Sequence, residues 1–340
     1  MFLLSTLRIP TRSLAHTSRL PSLSTAPRRT MSQYTLSTYL VSPSELHLAL
    51  QKNVHSKLST APKIIPLCAS WFLPNDGRNG LETFKACRIP HARFFDLDAV
   101  KDPNSPYPHM LPSAADFAAA MGALGIRRDD SVVVYDSKEL GIFSAPRVGW
   151  TLQVFGHPNV HVLNNFRLWC EQGLPTEEGE PEPVQAVEYA VPELNASRVV
   201  AFEEVREIAK EQGKEGAEEV QILDARSGGR FRGTEPEPRK GLSSGHIPHS
   251  INVPVSDVLD AKDKTFLPAA ELQELFKSKG VDPSKPIISS CGTGVTAAVI
   301  DAALTEAGFG QQNRKLYDGS WTEWAQRVSK SDSLIRKIGD

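Results

Sequence analysis

No apolar run in this chain approaches the roughly 20 residues that a membrane-spanning helix needs, so no membrane partner is expected. An excess of one charge is missing too. The 340 residues carry 38 Lys and Arg against 40 Asp and Glu, a net charge of −2, which gives no reason to expect direct contact with nucleic acid or an acidic surface. Cysteine is scarce. Cys68, Cys87, Cys170 and Cys291 have no metal-ligand spacing and make no disulfide framework in so long a chain, which fits a reducing compartment. No metal or organic cofactor is implied. Acids are absent from the start of the chain, none preceding Glu45, whereas Arg8, Arg12, Arg19, Arg28 and Arg29 are interleaved with Ser and Thr. Residues 1–32 therefore read as a mitochondrial transit peptide, too basic and too weakly apolar for a secretory signal. The alternative is a disordered basic tail. Met31 offers a second start, and with it a cytosolic form.

What is present is the composition of an ordinary globular protein, 40% hydrophobic and 23% charged, long enough for two domains. From about Gln33 the chain is written twice. Leu67-Cys68-Ala69-Ser70 matches Leu223-Asp224-Ala225-Arg226, and Ile89-Pro90-His91-Ala92 matches Ile247-Pro248-His249-Ser250. Val134-Tyr135-Asp136 falls where Ser289-Ser290-Cys291 falls, and Trp169 where Trp324 does, all at nearly one separation. Short β-rich runs (63–67, 131–135, 160–163; then 220–224, 250–253, 286–290) alternate with helical stretches such as 113–124 and 201–212. Alternation of that kind predicts α/β domains, each a parallel sheet flanked by helices. The expected boundaries are 33–170 for the first domain and 196–335 for the second. A Pro-, Glu- and Gly-rich linker, 171–195, joins them.

One stretch carries chemistry. Ile287-Ile288 reads as a short buried strand, Gly292-Thr293-Gly294 breaks it after Cys291, and Val295 onward reads as an amphipathic helix stopped by Gly308. Val295, Val299, Ala302 and Ala303 share one side of that helix. Cys291 then sits between a strand end and a helix N-terminus. The unpaired amides of the first turn and the positive end of the helix dipole favour an anion there, and hence a thiolate over a thiol. The glycines let backbone N–H groups turn inward. Such a site makes a nucleophile of Cys291 and cradles a charged adduct on its sulfur. The competing reading, a small buried hydrophobe, is the commoner fate of a cysteine, but it does not explain the order of strand, cysteine, glycine loop and helix. A phosphatase loop is disfavoured: it needs a guanidinium at the sixth position after the cysteine, where this chain has Ala297, and Ser290 precedes the cysteine in place of histidine.

Cys291-Gly292-Thr293-Gly294-Val295-Thr296 resembles the six-residue active loop of the two-domain rhodanese superfamily, in its mercaptopyruvate sulfurtransferase form. The resemblance spans essentially Gln33 to the C-terminus. It implies tandem rhodanese-like domains, with an inactive first domain packed on an active second one. Asp136, in the cysteine's place in the first copy, cannot attack sulfur, and ligands of open α/β sheets bind beyond the strands' carboxyl ends. A cleft between the domains at Cys291 is therefore expected. Relatives specific for thiosulfate typically carry cations at the second and third loop positions. Gly292 and Thr293 are neutral, which favours a singly charged α-keto thiol over doubly charged thiosulfate.

The same resemblance implies the remaining site residues. Asp224-Ala225-Arg226-Ser227-Gly228-Gly229-Arg230, continuing to Arg239-Lys240, resembles the substrate loop of these enzymes, with Arg230 and Arg239 on the donor's carboxylate and keto oxygens and Asp224 and Arg226 as braces. On composition alone the loop reads as a solvated surface element with Arg–Glu pairs. The first domain's Phe94-Phe95-Asp96-Leu97-Asp98 and Ser105-Pro106-Tyr107-Pro108-His109 also resemble the family, which puts Asp98 and His109 beside Thr293 in a proton relay, although an isolated loop histidine is as often structural. Gly141 to Arg147 and Tyr317 to Trp324 belong to the same pattern, with Trp321 and Trp324 read as packing residues. The implied activity is transfer of the sulfane sulfur of 3-mercaptopyruvate, through a Cys291 persulfide, to a small thiol, cyanide or a thioredoxin-like dithiol, releasing pyruvate. The alternatives are thiosulfate as donor, or a non-catalytic docking or relay module such as one serving tRNA thiolation, against which the intact loop speaks. A monomer is expected. Cys68, at the place of a usual aspartate, and Asn164-Asn165-Phe166, at the place of a usual Asp-Gly-Gly turn, depart from the pattern.

Overall fold

The most regular parts of the chain are its β-branched runs, and these become the central strands. The computed structural model describes residues 36–53, 59–310 and 313–338. The basic leader 1–32 and Met31 lie outside them. The first half contains β1 (Leu40–Val41), α1 (Pro43–Leu50), β2 (Ile64–Cys68), α2 (Gly80–Ala86), β3 (Arg93–Phe94) and α3 (Ala114–Ala123). It continues with β4 (Ser131–Tyr135), α4 (Ala145–Val154), β5 (Asn159–Leu163) and α5 (Phe166–Glu171). The second half contains β6 (Val199–Val200), α6 (Phe202–Glu211), β7 (Gln221–Asp224), α7 (Gly228–Arg232) and β8 (Ile251–Asn252). It ends with α8 (Ala269–Ser278), β9 (Ile287–Ser290), α9 (Val295–Ala307), β10 (Arg314–Tyr317) and α10 (Ser320–Arg327).

Each half builds a five-stranded sheet, in the orders β1-β5-β4-β2-β3 and β6-β10-β9-β7-β8. All the pairings between these strands are parallel. The two orders are the same permutation, so the internal repeat is a repeat of fold: tandem rhodanese-like domains, each a parallel sheet flanked by helices. Parallel sheets bury both faces, and accordingly Val132, Val133, Val134, Ile287 and Ile288 are all nearly inaccessible.

The helices α4 and α9, each directly following a domain's signature loop, pack on one another. Val148 and Leu152 of α4 belong to the same apolar cluster as Ala298, Val299 and Ala302 of α9, so one core runs through both domains. The expected one-sided burial of α9 is not what forms. Val295, Ala297 to Leu304 and Ala307 are all buried, because the helix lies between its own sheet, α4 and α8. Small side chains on every face are what that position demands. Gly308 does end the helix, in the left-handed conformation at φ 73°.

Residues 171–195 hold none of the named helices or strands apart from the last residue of α5, but they are not free of the first domain. Arg88 and Glu177 exchange backbone hydrogen bonds, each 2.9 Å, Val187 N–H donates to Gly122 O (3.0 Å), and Asn195 N–H donates to Val154 O (2.8 Å). Buried Tyr189 places its hydroxyl 2.9 Å from His157 Nδ1. The two departures from the family pattern also find local solutions. Cys68 Sγ lies 3.3 Å from Ser70 Oγ. Asn165, at φ 91°, donates its side-chain amide across the domains to Asp263 O.

Candidate active site

Cys291 follows the last residue of β9 and is 2% exposed. The loop around it is held from the side of α10. Ser320 Oγ accepts the Cys291 N–H (3.1 Å) and donates to Tyr317 O (2.7 Å). Trp321 N–H donates to Cys291 O (2.9 Å), and Gly292 O accepts from both the N–H (3.0 Å) and the hydroxyl (2.7 Å) of Thr322. With the carbonyls of Cys291 and Gly292 engaged by α10, the remaining polar groups of the loop are mainly its N–H donors. Gly294 then turns the chain at φ 77°, where a Cβ would come 2.7 Å from Arg147 Nη1 and 2.8 Å from Asp318 O. Only glycine fits. Val295 and Thr296 open α9, whose first-turn amides have no intrahelical acceptor, so an anion on Cys291 would sit at the positive end of a 13-residue helix.

The first domain contributes the other half of the site. His109, at φ 63° and 2% exposed, has Nδ1 3.2 Å from Thr293 Oγ1 and Nε2 3.2 Å from Asp98 Oδ1. An ionised carboxylate only accepts, so Nε2 carries the proton, and Nδ1 is left to accept from the Thr293 hydroxyl. Burial holds His109 below its ordinary value of 6.5, outweighing the hydrogen bond to Asp98 that pushes the other way. The hydrogen bond from His109 in turn holds the Asp98 carboxyl below its usual range. The neutral imidazole of this chain is thus fixed in one tautomer and aimed at Thr293. Trp71 braces both partners, donating from Nε1 to Asp98 Oδ2 (2.9 Å) with its ring against His109 at 4.6 Å, edge on. Arg147 donates to His109 O and forms an ion pair with Asp318 at 2.6 Å, both side chains buried. Asp318 also accepts the Leu111 N–H (2.8 Å). A buried charge-paired clamp therefore ties the histidine's loop to the sheet that carries Cys291.

The substrate loop folds around one acid. Glu237, its side chain 3% exposed, accepts from Arg226 Nη1 (2.8 Å) and from Arg230 through Nε (3.1 Å) and Nη2 (2.5 Å). Arg226 makes a fork onto Asp224, donates to Gly245 O, and lies 4.0 Å over the Trp321 ring. Arg230 Nη2 lies 3.2 Å from where a Gly292 Cβ would stand, so the loop arginine and the cysteine loop meet. Arg239 is half-buried. Burial lowers it from its ordinary value, while the neighbouring Cys291 works in the opposite direction and Arg230 adds to the lowering. Asp98, His109, Arg230, Arg239, Cys291, Gly292, Thr293 and Gly294 therefore converge on one place, with Val295 and Thr296 behind it. Sequence reasoning missed Glu237, Ser320 and Trp71. The acid inside an arginine-rich loop was the available signal for Glu237; nothing marked the other two.

In the first domain Asp136 occupies the equivalent strand end. Its carboxylate accepts from the backbone N–H of Phe143, Ser144 and Ala145 and from Ser144 Oγ. Burial pushes it up to about 6 against those hydrogen bonds. The anion cradle is present in both copies, and in the first it is filled by the chain's own side chain.

Residues 205–327 match the model of the rhodanese-like domain. Over 276 residues the chain is 42% identical to the 3-mercaptopyruvate sulfurtransferase of Rattus norvegicus, covering 80% of this chain and 89% of that one. It is 41% identical over 278 residues to the mitochondrial thiosulfate/3-mercaptopyruvate sulfurtransferase 1 of Arabidopsis thaliana, covering 78% and 72%. Among solved structures, the Tum1 protein from Saccharomyces cerevisiae superposes with a TM-score of 0.77 at 39% identity, covering 88% of this chain and 98% of that one.

Proposed function

Because this chain belongs to the rhodanese-like sulfurtransferases, we propose that it takes sulfur from 3-mercaptopyruvate and that Cys291, Thr293, His109 and Asp98 do the chemistry. It is a sulfurtransferase, acting on a small sulfur donor and thiol acceptors. The Cys291 thiolate attacks the donor sulfur, a new S–S bond forms, and the C–S bond breaks with its electron pair going to the three-carbon fragment. Arg230 and Arg239 hold that fragment's carboxylate and keto oxygens and stabilise the enolate. Neutral His109 withdraws the donor's thiol proton through the Thr293 hydroxyl and returns it to the enolate carbon, which gives pyruvate. The amides of Gly292, Gly294, Val295 and Thr296 cradle the persulfide left on Cys291. The observation that carries the donor assignment is the neutral Gly292-Thr293 pair, whose hydroxyl sits on an uncharged buried histidine (3.2 Å). The loop positions themselves add no cation for a second negative charge, and Arg230 and Arg239 are engaged by the donor's carboxylate and keto oxygens in this reading. Steady-state kinetics with mercaptopyruvate and thiosulfate side by side test this, with a larger kcat/KM expected for mercaptopyruvate.

The relay has a pH signature. His109 must be neutral, and burial holds it below 6.5, so pre-steady-state pyruvate release should be constant near neutrality and fall only as pH drops through a value under 6.5. Asp98→Asn removes the carboxylate that stabilises the imidazolium. The acid limb should then move to still lower pH while the plateau rate drops on the order of 10²-fold, as for a misoriented general base. A limb centred above 6.5, or one that Asp98→Asn does not move, would show that His109 is not the proton carrier.

The basic leader 1–32 supports mitochondrial import, in keeping with the mitochondrial Arabidopsis relative, and Met31 as a start would supply a cytosolic form. A reporter fused to residues 1–35 should enter mitochondria; one that stays wholly cytosolic would overturn the assignment. A monomer without direct contact to membrane or nucleic acid completes the proposal.

A further inference from the structure

A cleft of about 430 Å³ opens at the junction of the two domains, walled by Lys101 and Tyr107 from the first and by Arg239, Lys240, Thr322 and Gln326 from the second. Two of its walls adjoin the Cys291 loop. Thr322 donates its hydroxyl to Gly292 O at 2.7 Å, and Arg239 is close enough to Cys291 to feel its charge. The volume falls within the range of about 300–1,000 Å³ typical of sites for drug-sized molecules, more than a three-carbon keto acid requires. The charge is one-sided: the lining residues include three cations and no acid. Arg239 is committed to the donor in the mechanism above. Lys101 and Lys240 are not, and among the described residues neither belongs to an ion pair, although Lys101 does pull on Asp98 from further away.

A sulfur relay must admit two different molecules to one cysteine. Once pyruvate has left, the acceptor has to bring a thiolate to the outer sulfur of the persulfide through an opening that touches the loop. We propose that this cleft is the acceptor subsite, and that Lys101 and Lys240 select small peptidic thiols bearing carboxylates. The inference rests on Cys291 as the sulfur carrier. In the step itself the acceptor thiolate attacks the outer sulfur of the Cys291 persulfide. A new S–S bond forms on the acceptor, the S–S bond to Cys291 breaks, and its electron pair returns to Cys291 as thiolate, so no external oxidant or reductant is used. Two lysines placed on opposite domains around a half-enclosed cleft concentrate a polyanion there and orient it, whereas a neutral thiol gains nothing from them.

The test starts from the persulfide, so that donor binding does not enter. Wild type and Lys101→Glu/Lys240→Glu are loaded with mercaptopyruvate, freed of excess donor, and checked by mass for one added sulfur on Cys291. The second-order rate constants for sulfur removal by glutathione and by its diethyl ester, which has the same skeleton with the carboxylates masked, are then measured at low and moderate salt. The ratio of glutathione to ester should fall about tenfold in the double variant, and the wild-type ratio should decline with salt while the variant's, with both charges reversed, should rise. Unchanged ratios would overturn the proposal. So would a variant in which only the rate with reduced thioredoxin falls, since the lysines would then read a protein surface. Failure to load sulfur on Cys291 in the wild type would instead refute the underlying sulfur-carrier assignment, and the two failures are told apart at the mass measurement.

Discussion

Cys291→Ser should lower turnover with mercaptopyruvate by at least about 10⁴-fold, the scale on which loss of a nucleophile acts, while the protein stays folded. The structural cost is small: the residue is 2% exposed and a hydroxyl replaces a thiol of similar size, a change of about 1 kcal/mol. The chemical cost is nearly complete, because a serine hydroxyl at neutral pH offers neither the thiolate nor a sulfur that can hold another sulfur. Cys68 and Cys170 are poor replacements: burial pushes Cys68 up to about 12, and burial together with Cys87 pushes Cys170 up to about 12, which disfavours the thiolate on each. Incubation of the wild type with donor alone, followed by peptide mass mapping, should find the extra sulfur on Cys291. Substantial activity in the serine variant, or an adduct on Cys68, Cys87 or Cys170, would refute the assignment.

The contrast between the two domains accounts for one candidate site rather than two. Both copies build the same strand order and place a loop at the equivalent strand end before the helix that packs at the domain junction. In the first, Asp136 satisfies the loop amides permanently. A carboxylate in that cradle has no leaving chemistry and leaves no room for a donor. The first domain's contribution is therefore made at a distance, through His109 and Asp98, which it presents to Thr293 of the second domain. Arg147, directly behind the silent loop, closes that arrangement by pairing with Asp318.

Much of this was legible in the residues. The central strands β4 and β9 were visible as β-branched or apolar runs ending at the two functional positions, and the helix after Cys291 was marked by its small residues and Gly308. The edge strands β1, β3 and β6 were not, because two residues give no alternation to read. The strand β10 begins with Arg314-Lys315, charges that hide a strand until Asp301 and Glu204 are seen to pair them. The one-sided helix expected at 295 failed for a physical reason: with α4 of the first domain packed against it, α9 has almost no solvent face. The Arg–Glu pairs that composition suggested for the loop from Arg226 to Arg239 do form, but not on a solvated surface, since Glu237 lies folded inside the loop, holding Arg226 and Arg230. Such a pairing depends on a turn, not on spacing.

Donor choice follows from that same hub. Arg230 is gripped by Glu237 through Nε and Nη2, which fixes the guanidinium plane and leaves its other donors for a ligand. Arg230→Lys keeps the charge, but an ammonium cannot hold Glu237 and present a planar fork together. Losing a charge-assisted pair to a carboxylate costs about 1.5–3 kcal/mol, so kcat/KM for mercaptopyruvate should fall on the order of ten- to a hundredfold. Thiosulfate, which has no carboxylate to fork, should lose much less. Gly292→Arg acts on the same pair from the other side. A Cβ at Gly292 already lies 3.2 Å from Arg230 Nη2, so the new side chain displaces Arg230 while bringing a cation next to the sulfur. Both effects move preference toward the doubly charged donor, and adding Thr293→Lys moves it further while removing the hydroxyl from His109. The measurement is the ratio of the specificity constants for mercaptopyruvate and thiosulfate across wild type, Arg230→Lys and Gly292→Arg. It should be highest in the wild type and fall in both variants. A wild type that prefers thiosulfate, or a ratio that stays put in both variants, would mean that neither the arginine fork nor the neutral loop selects the donor, and thiosulfate would then replace mercaptopyruvate as the substrate.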